Sequence, residues 1–572
     1  MESKSKKMYF TDLKDMLRQT GEVYGDRPAY KFKTDEAGKF RIITHKKFRE
    51  EINELGTALI SMGLKGKRIA VISENRYEWQ LAYLAISTGA GIVVPLDKAL
   101  PDNELESLIL RSQVEGIIYS KKYDKVMDTL REKKNTNLRI FISMDLDSNN
   151  DGVYSEKALV EKGKKLIEEG NKEFIDAKIN ADEMGIMLFT SGTTSISKAV
   201  MLSHKNIITN VMDIINAFEL DETDVFLSFL PLHHVFECTV GFLYPISIGG
   251  CIAFCEGVKH MVDNLNEFQI SAMISVPAVF DIMYRKLMKT IEKQGKMDTV
   301  KKGIKISNMA LKLKIDLRKK VFHEIHEKLG GKIRVMVAGG AALDPETEKG
   351  FTDLGFNLLQ GYGLTETSPV IAAETTKNRK LGSIGKKFKS VEVKIDNPDE
   401  NGIGELMAKG NSVMKGYYEN EEATKDALEP DGWFHTGDLA KIDEEGYIYI
   451  SGRKKNVIVL SNGKNVFPEE IEILLNKIEG IKESFVYEKK DADGDAKVCV
   501  KIVYDKNLLK ELYNIEGEEN IKDFLWKKVK EVNNLMPKYK YIREMIISEE
   551  ELIKTTTLKV KRHEELKKIL GE

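Results

Sequence analysis

What most narrows the fold of this chain is an alternation of short apolar runs with amphipathic segments, beginning near Lys67. RIAVIS (68–73), GIVVPL (91–96) and GIIYS (116–120) each read as a buried strand. Residues 77–88, and the segment opened by Pro101 and Asp102 and running to about 112, read as the helices between them. Strands joined through helices are crossover-connected and therefore parallel, and a parallel sheet needs cover on both faces. The rhythm resumes at 225–229, 251–254, 272–275 and 333–337. Residues 12–24 form one more amphipathic helix, with Leu13, Met16, Leu17 and Val23 on one face.

Past Ile384 the texture changes. Glycines become frequent, and VEVKI (391–395), GELMAKG (404–410) and YIYISG (447–452) suggest a smaller β-rich unit. VIVLS (457–461), a helix from about Pro468, FVYEK (485–489), VCVKIVY (498–504) and terminal helices then suggest a separate α+β domain. The expected architecture is α/β: a large N-terminal domain of parallel-sheet subdomains plus a β-rich subdomain, then a small α+β domain. The boundary is expected at 452–455, giving domains 1–452 and 453–572.

Composition excludes several classes. A chain of 572 residues with 42% hydrophobic and 31% charged residues has the makeup of a globular protein, long enough for about three to four folding units. A formal net charge of −2 provides no global field for nucleic acid. The N-terminal lysines are followed by no apolar segment of the kind a secretory signal needs, and no apolar run reaches the about 18 residues of a membrane span. The four cysteines, Cys238, Cys251, Cys255 and Cys499, are too scattered for a disulfide framework or a zinc site. A reducing, cytoplasmic setting is expected. Asp147, Asn149, Asp151 and Gly152 mimic the start of a calcium loop, but Ala158 stands where the bidentate glutamate belongs, so the segment reads as a surface turn. Residues 281–330 form a long charged helical segment, read as helices packed on the main sheet, with peripheral contact to an anionic membrane left open.

The chemistry concentrates in a few stretches. FTSGTTSISKAVMLSH (189–204) sets the hydroxyls of Thr190, Ser191, Thr193 and Thr194 around Gly192 after a strand-like GIMLF, with Lys198 close behind. Such a turn can wrap phosphate oxygens with N–H and O–H donors, although it is not a Walker A loop. QGYGLTETSP (360–369) puts glycines on both sides of Tyr362, so that backbone and ring can approach a flat ligand, and Glu366 beside phosphates would need a cation between them. Asp438 stands in GWFHTGDLA (432–440), where T-G-D by itself is a common turn. LPLHHVFE (230–237), AGGAALDP (338–345), SGRKKNVIVLSNGKNVFPEEIE (451–472) and LIKTTTLKVKR (552–562) complete the set.

The order and spacing of these segments resemble the adenylate-forming superfamily of acyl-CoA synthetases, peptide-synthetase adenylation domains and luciferases, over about 12–562. The resemblance implies a nucleotide site made of Thr190, Ser191, Gly192, Thr193, Thr194, Lys198, Gly339, Gly340, Ala341, Gln360, Gly361, Tyr362, Thr365, Asp438 and Arg453. It also implies Mg²⁺ on Glu366 with Thr190 as second ligand, His234 bordering the acyl pocket and α-phosphate, and a mobile C-terminal α+β domain that turns about a hinge at Lys455. The last motif is similar to P-K-T-x-T-G-K-I-x-R, which makes Lys559 the catalytic lysine. Ser195, Ser197, Ala199, Ile553 and Leu558 replace residues usual in the family, a change that can reshape loops needing positive φ.

The expected activity is activation of a fatty acid, most similar to the long-chain class, by ATP with Mg²⁺, followed by transfer to coenzyme A. An acyl-carrier-protein acceptor, a non-catalytic binding protein of the same fold and a homodimer stay open.

Overall fold

A computed structural model describes residues 8–34, 38–133, 135–190, 197–460, 464–490, 495–555 and 559–571. Contacts divide the chain into two units, residues 1–392 with 408–434, and residues 393–407 with 435–572. Residues 452–455 lie inside the second unit as so divided.

The first unit is built on two large mixed sheets. In the first, the strands Gly91–Pro95, Lys67–Ile72, Gly116–Tyr119, Ile140–Ser143 and Val153–Ser155 run parallel side by side. In the second, Cys251–Phe254, Val225–Ser228, Ala272–Ser275, Val335–Ala338 and Leu358–Gly363 do the same. These are the runs whose alternation with helices implied crossovers. The helix Asp102–Ser112 has the expected bounds. The helix Leu13–Val23 buries Leu13, Met16 and Leu17 and is capped by the Asp12 carboxylate on the Asp15 amide. Val23 is exposed, and Thr20 completes the inner face in its place.

Antiparallel hairpins finish both sheets at their edges. Pro28–Lys33 pairs with Phe40–Thr44 on one sheet. On the other, Met184–Thr190 pairs with Lys198–Ser203, setting Thr190 directly opposite Lys198. Gly416–Tyr417 then adds to the outer side of Lys198–Ser203.

A four-stranded sheet of Val391–Asp396, Gly404–Gly410, Phe434–Ile442 and Ile448–Arg453 belongs for the most part to the second unit. The rest of that unit is an α+β layer. Ile481–Lys490 runs antiparallel to Ala496–Tyr504, which runs parallel to Glu544–Ser548. One face of this sheet, with Val486, Val500 and Ile502, packs with Ile471, Leu475, Leu525 and Val529 of two helices. The other face, with Phe485, Tyr487, Cys499 and Val503, packs with Leu566 and Ile569 of the helix Arg562–Leu570. Burial on both faces explains why VCVKIVY reads as a nearly continuous apolar run. No helix among the described residues is long and apolar enough to cross a membrane.

Candidate active site

Within the first unit, the hydroxyl-rich turn is fixed at both ends by the hairpin that puts Thr190 opposite Lys198. Ser191, Gly192, Thr193 and Thr194, with the departure at Ser195, lie outside the described residues. The Thr190 hydroxyl donates to the Lys198 carbonyl at 3.4 Å. Arg111 grips the far end, donating to the Ser197 hydroxyl at 3.2 Å and to its carbonyl at 2.6 Å. Ser197 and Ala199 do not adopt the left-handed backbone, and Ala199 is buried in strand pairing with Phe189, so both substitutions sit without strain.

Glu366 lies in a short turn, Thr365–Thr367, directly after the strand that carries Gln360, Gly361 and Tyr362. That turn abuts the strand Lys198–Ser203, and the Glu366 carbonyl accepts the Met414 amide at 2.8 Å. Tyr417, which the motifs do not single out, connects the two. Its hydroxyl donates to Glu366 Oε1 at 2.9 Å, and Lys198 Nζ lies 4.6 Å from the centre of its ring. The arrangement is cation, aromatic ring, carboxylate, with Thr190 paired to Lys198. In the sequence it shows only as the first of an aromatic pair, Tyr417 and Tyr418, after Gly416.

The glycines of AGGAALDP follow the strand Val335–Ala338. A Cβ on Gly339 would come within 2.7 Å of the Phe236 ring, and Gly340 has φ +86°, so both positions call for glycine. Ala341 continues this loop. The Gln360 carboxamide turns inward, accepting the Leu343 amide at 2.8 Å and donating to the Ser383 carbonyl at 3.0 Å. It joins the AGGAALDP loop to the scaffold, and its backbone is likewise engaged, the N–H donating to Glu374 Oε2 at 3.1 Å and the carbonyl accepting the Glu374 amide at 2.8 Å. Tyr362 pairs in antiparallel register with Ala372.

The two histidines of LPLHHVFE diverge. His233 Nε2 lies 3.5 Å from Asp97 Oδ2. His234 Nδ1 accepts the Phe236 amide at 3.3 Å, so a neutral ring carries its proton on Nε2, where it can donate to an anion. Glu237 braces this loop from behind, its carboxyl accepting the Ser228 hydroxyl at 2.6 Å. Burial pushes the Glu237 pKa up to about 8, against the hydroxyl and the backbone amides of Leu230 and Phe229, which favour the anion.

In the second unit, Asp438 and Arg453 face each other across two antiparallel strands, with Arg453 Nε 2.9 Å from Asp438 Oδ1. Thr436 supports the turn, donating to the Leu406 carbonyl and accepting the Asp438 amide. Lys455 is exposed in the short turn Lys454–Asn456. Next to it, Lys454 pairs with the buried carboxylate of Glu405 at 2.8 Å.

Lys559 closes a small hairpin: its carbonyl accepts the Thr555 amide at 2.8 Å, its amide donates to the Thr555 hydroxyl at 3.2 Å, and Lys554 bridges to Val560. Leu558 lies outside the described residues; Ile553 has no left-handed backbone. Three glutamates tie the hairpin down. Glu483 pairs with Lys554 and accepts the Leu552 amide. Both oxygens of Glu472 accept from Arg562 Nη1, at 2.9 and 3.0 Å. Glu565 accepts the Ile553 amide at 2.9 Å and pairs with Lys501 at 2.6 Å, with side-chain exposures of 0% and 7%.

The donor set fits a magnesium ion of the kind held in nucleotide sites. Mg²⁺ there takes one or two protein oxygens and completes its shell with phosphates and water. Glu366 and Thr190 are one carboxylate and one hydroxyl, and among the described residues no cluster of three or more His, Cys, Asp or Glu forms a dedicated cage. A cavity of about 340 Å³ beside Tyr417 is lined by Glu419 and Glu421 as well as Met201 and Lys425. Its carboxylates would repel polyphosphate, so it is not the nucleotide pocket.

A fold of two crossover-connected sheets, with Lys198 paired to Thr190 on one and joined through Tyr417 to Glu366, which follows a strand of the other, is that of an adenylate-forming enzyme. A family model described as AMP-binding enzyme matches residues 17–418, and the chain belongs to that family. Fatty acyl-CoA synthetase B of Dictyostelium discoideum is 29% identical over 508 residues, covering 83% of this chain and 74% of that protein. The chloroplastic long-chain-fatty-acid–[acyl-carrier-protein] ligase AEE15 of Arabidopsis thaliana is 27% identical over 528 residues, covering 80% and 72%. The ATP-bound structure of MatB from Rhodopseudomonas palustris shares the fold with a TM-score of 0.75 at 22% identity, covering 98% of this chain and all of that one, 100%.

Proposed function

We propose that this chain activates a long-chain fatty acid with ATP to an acyl-adenylate and transfers the acyl group to coenzyme A. The observation that carries the reading is the Lys198–Tyr417–Glu366 arrangement next to Thr190, in a chain of the AMP-binding family. The curated relatives named as fatty acyl-CoA synthetases support the fatty-acid and coenzyme A parts.

In the first step a carboxylate oxygen of the acid bonds to the α-phosphorus of ATP, and the bond from that phosphorus to the bridging oxygen breaks, releasing pyrophosphate. The acid is already ionised near pH 7, so no general base is required. The barrier is the approach of one anion to another, and the task of the protein is to oppose that charge. Lys198 and the hydroxyls of the 190–194 turn act on phosphate oxygens, and His234 Nε2–H and Lys559 act at the α-phosphate. Bound Mg²⁺, held by Glu366 and Thr190, supplies charge neutralisation on the phosphates. Asp438, oriented by Arg453, takes the ribose hydroxyls, while Tyr362 and the loop Gly339 to Ala341 receive the adenine. In the second step the thiol sulfur of coenzyme A attacks the acyl carbonyl and AMP leaves. Residues 453–572, turning at Lys455, withdraw Lys559 between the steps.

Pyrophosphate release across a panel of carboxylates, with coenzyme A, with a phosphopantetheinylated carrier protein and with neither, tests this reading. Palmitate-like acids should be turned over fastest, with acyl-CoA as product. Aromatic or amino acids outcompeting them would overturn the chain-length assignment. A carrier-protein product would move the chain to the acyl-carrier-protein class, and no pyrophosphate with any acid would leave a binding protein.

Asp438→Ala removes the acceptor for two ribose hydroxyls that the site would otherwise desolvate, a loss of about 1–3 kcal/mol. Calorimetric titration should show weaker binding of both ATP and AMP. An unchanged AMP affinity would take Asp438 out of the nucleotide site.

A further inference from the structure

The helix Met297–Lys312 leaves large apolar side chains exposed. Its inner face is formed by Val300, Gly303 and Ser307, all buried. Gly303 makes the close approach possible, since a Cβ there would come within 3.0 Å of Val321 and 3.2 Å of the Phe322 ring. The opposite face of a helix bathed in water is normally polar. Here it carries Ile306 and Met309, continued by the capping residue Leu313, and these are 59%, 67% and 74% exposed. Their spacing of three and four residues makes one continuous stripe, extended by Ile315, which is 52% exposed. Lys301, Lys302, Lys305, Lys312 and Lys314 are all exposed around it, and among the described residues none of the five enters an ion pair. Residues 281–330 hold fourteen Lys and Arg against six Asp and Glu, in a chain whose net charge is −2. The basic charge is therefore local to this segment.

We propose that this face is a docking surface for an anionic lipid bilayer. The helix lies in the plane of the membrane, its Ile306–Met309–Leu313 stripe entering the boundary between headgroups and acyl chains. The lysines stretch their stems along that boundary and place their ammonium groups on lipid phosphates. Each feature alone has an ordinary explanation; their coincidence on one helix face selects lipid. Nucleic acid would use the lysines and leave the stripe in water. A second copy of this chain laid face to face would cover the stripe and bring the lysines against one another. Only a surface that is apolar beneath and anionic on top matches both. The proposal does not depend on the reading of the catalytic reaction.

Flotation of the full chain with phosphatidylcholine vesicles, and with vesicles also containing phosphatidylglycerol, tests it. Wild type should float with the anionic vesicles and not with the neutral ones, and high salt should release most of it. The combined Ile306→Ser, Met309→Ser and Leu313→Ser variant should lose binding. The combined Lys301→Glu, Lys302→Glu and Lys305→Glu variant should lose it by on the order of a hundredfold. All six side chains are exposed, so circular dichroism should show both variants folded. Equal flotation with both vesicle types, no flotation, or an unaffected serine variant would overturn the proposal. So would a concentration-dependent dimer in sedimentation velocity that the serine variant abolishes. Duplex oligonucleotide binding lost in the glutamate variant and kept in the serine variant would reassign the face to nucleic acid.

Discussion

Lys559→Ala is expected to separate the two half-reactions. Adenylation should fall by about 10²–10³-fold or more, because a cation acting where negative charge accumulates around phosphorus works almost entirely on the transition state. Transfer from preformed acyl-adenylate to coenzyme A should survive, since the proposed second step runs with Lys559 withdrawn. Lys455→Pro should do the reverse. The ring fixes φ and removes an N–H at the proposed turning point while leaving Lys559 in its hairpin. Single-turnover kinetics of each half-reaction, for both variants, is the measurement. Equal loss of both steps in Lys559→Ala would reject the two-state mechanism and leave this lysine a general role in nucleotide binding.

The second large effect is on stability. In Glu565→Ala the Lys501 ammonium loses its partner inside the core formed by Phe485, Tyr487, Cys499 and Val503, and the Ile553 amide loses its acceptor. Breaking one side of a buried, hydrogen-bonded ion pair costs about 3–5 kcal/mol. Urea unfolding followed by fluorescence of Trp526, which sits in the helix Glu518–Asn533 of the same unit, should show an earlier transition. The paired change Glu565→Leu with Lys501→Met should recover most of the loss, because no charge is left unpaired. Adenylation should not recover with it, since the Ile553 end of the Lys559 hairpin is still released. Recovery of both together would mean that Glu565 supports the fold alone.

Much of the fold was legible because its strands are local apolar runs with helices between them. The strands Cys251–Phe254 and Ala272–Ser275 and the helix Asp102–Ser112 fall where the pattern puts them. Strand direction at the sheet edges was not legible. KAVMLS, read only as the tail of a phosphate loop, is a strand antiparallel to its predecessor, and nothing in a local period encodes pairing direction. The motif residues could be found one by one, but Tyr417 could not, because its link to Glu366 joins positions 51 residues apart. Glu565 was hidden for a different reason. In KRHEELKK it looks like any carboxylate on a solvated helix face, and only the helix packing on Lys501 turns it inward. Arg111 likewise ends a helix whose sequence gives no sign that its guanidinium reaches Ser197.

The aromatic ring between Lys198 and Glu366 has a consequence for the enzyme at rest. A lysine and a glutamate free to meet would collapse into a contact pair, each cancelling the other, and any incoming ligand would first have to pull them apart. Tyr417 acts as an insulating spacer: it engages the ammonium through its face and the carboxylate through its hydroxyl, and no ion pair joins the two. Both charges are thereby kept oriented yet uncancelled. A polyanion and its counter-cation can each find an opposite charge waiting, with no internal bond to break on arrival.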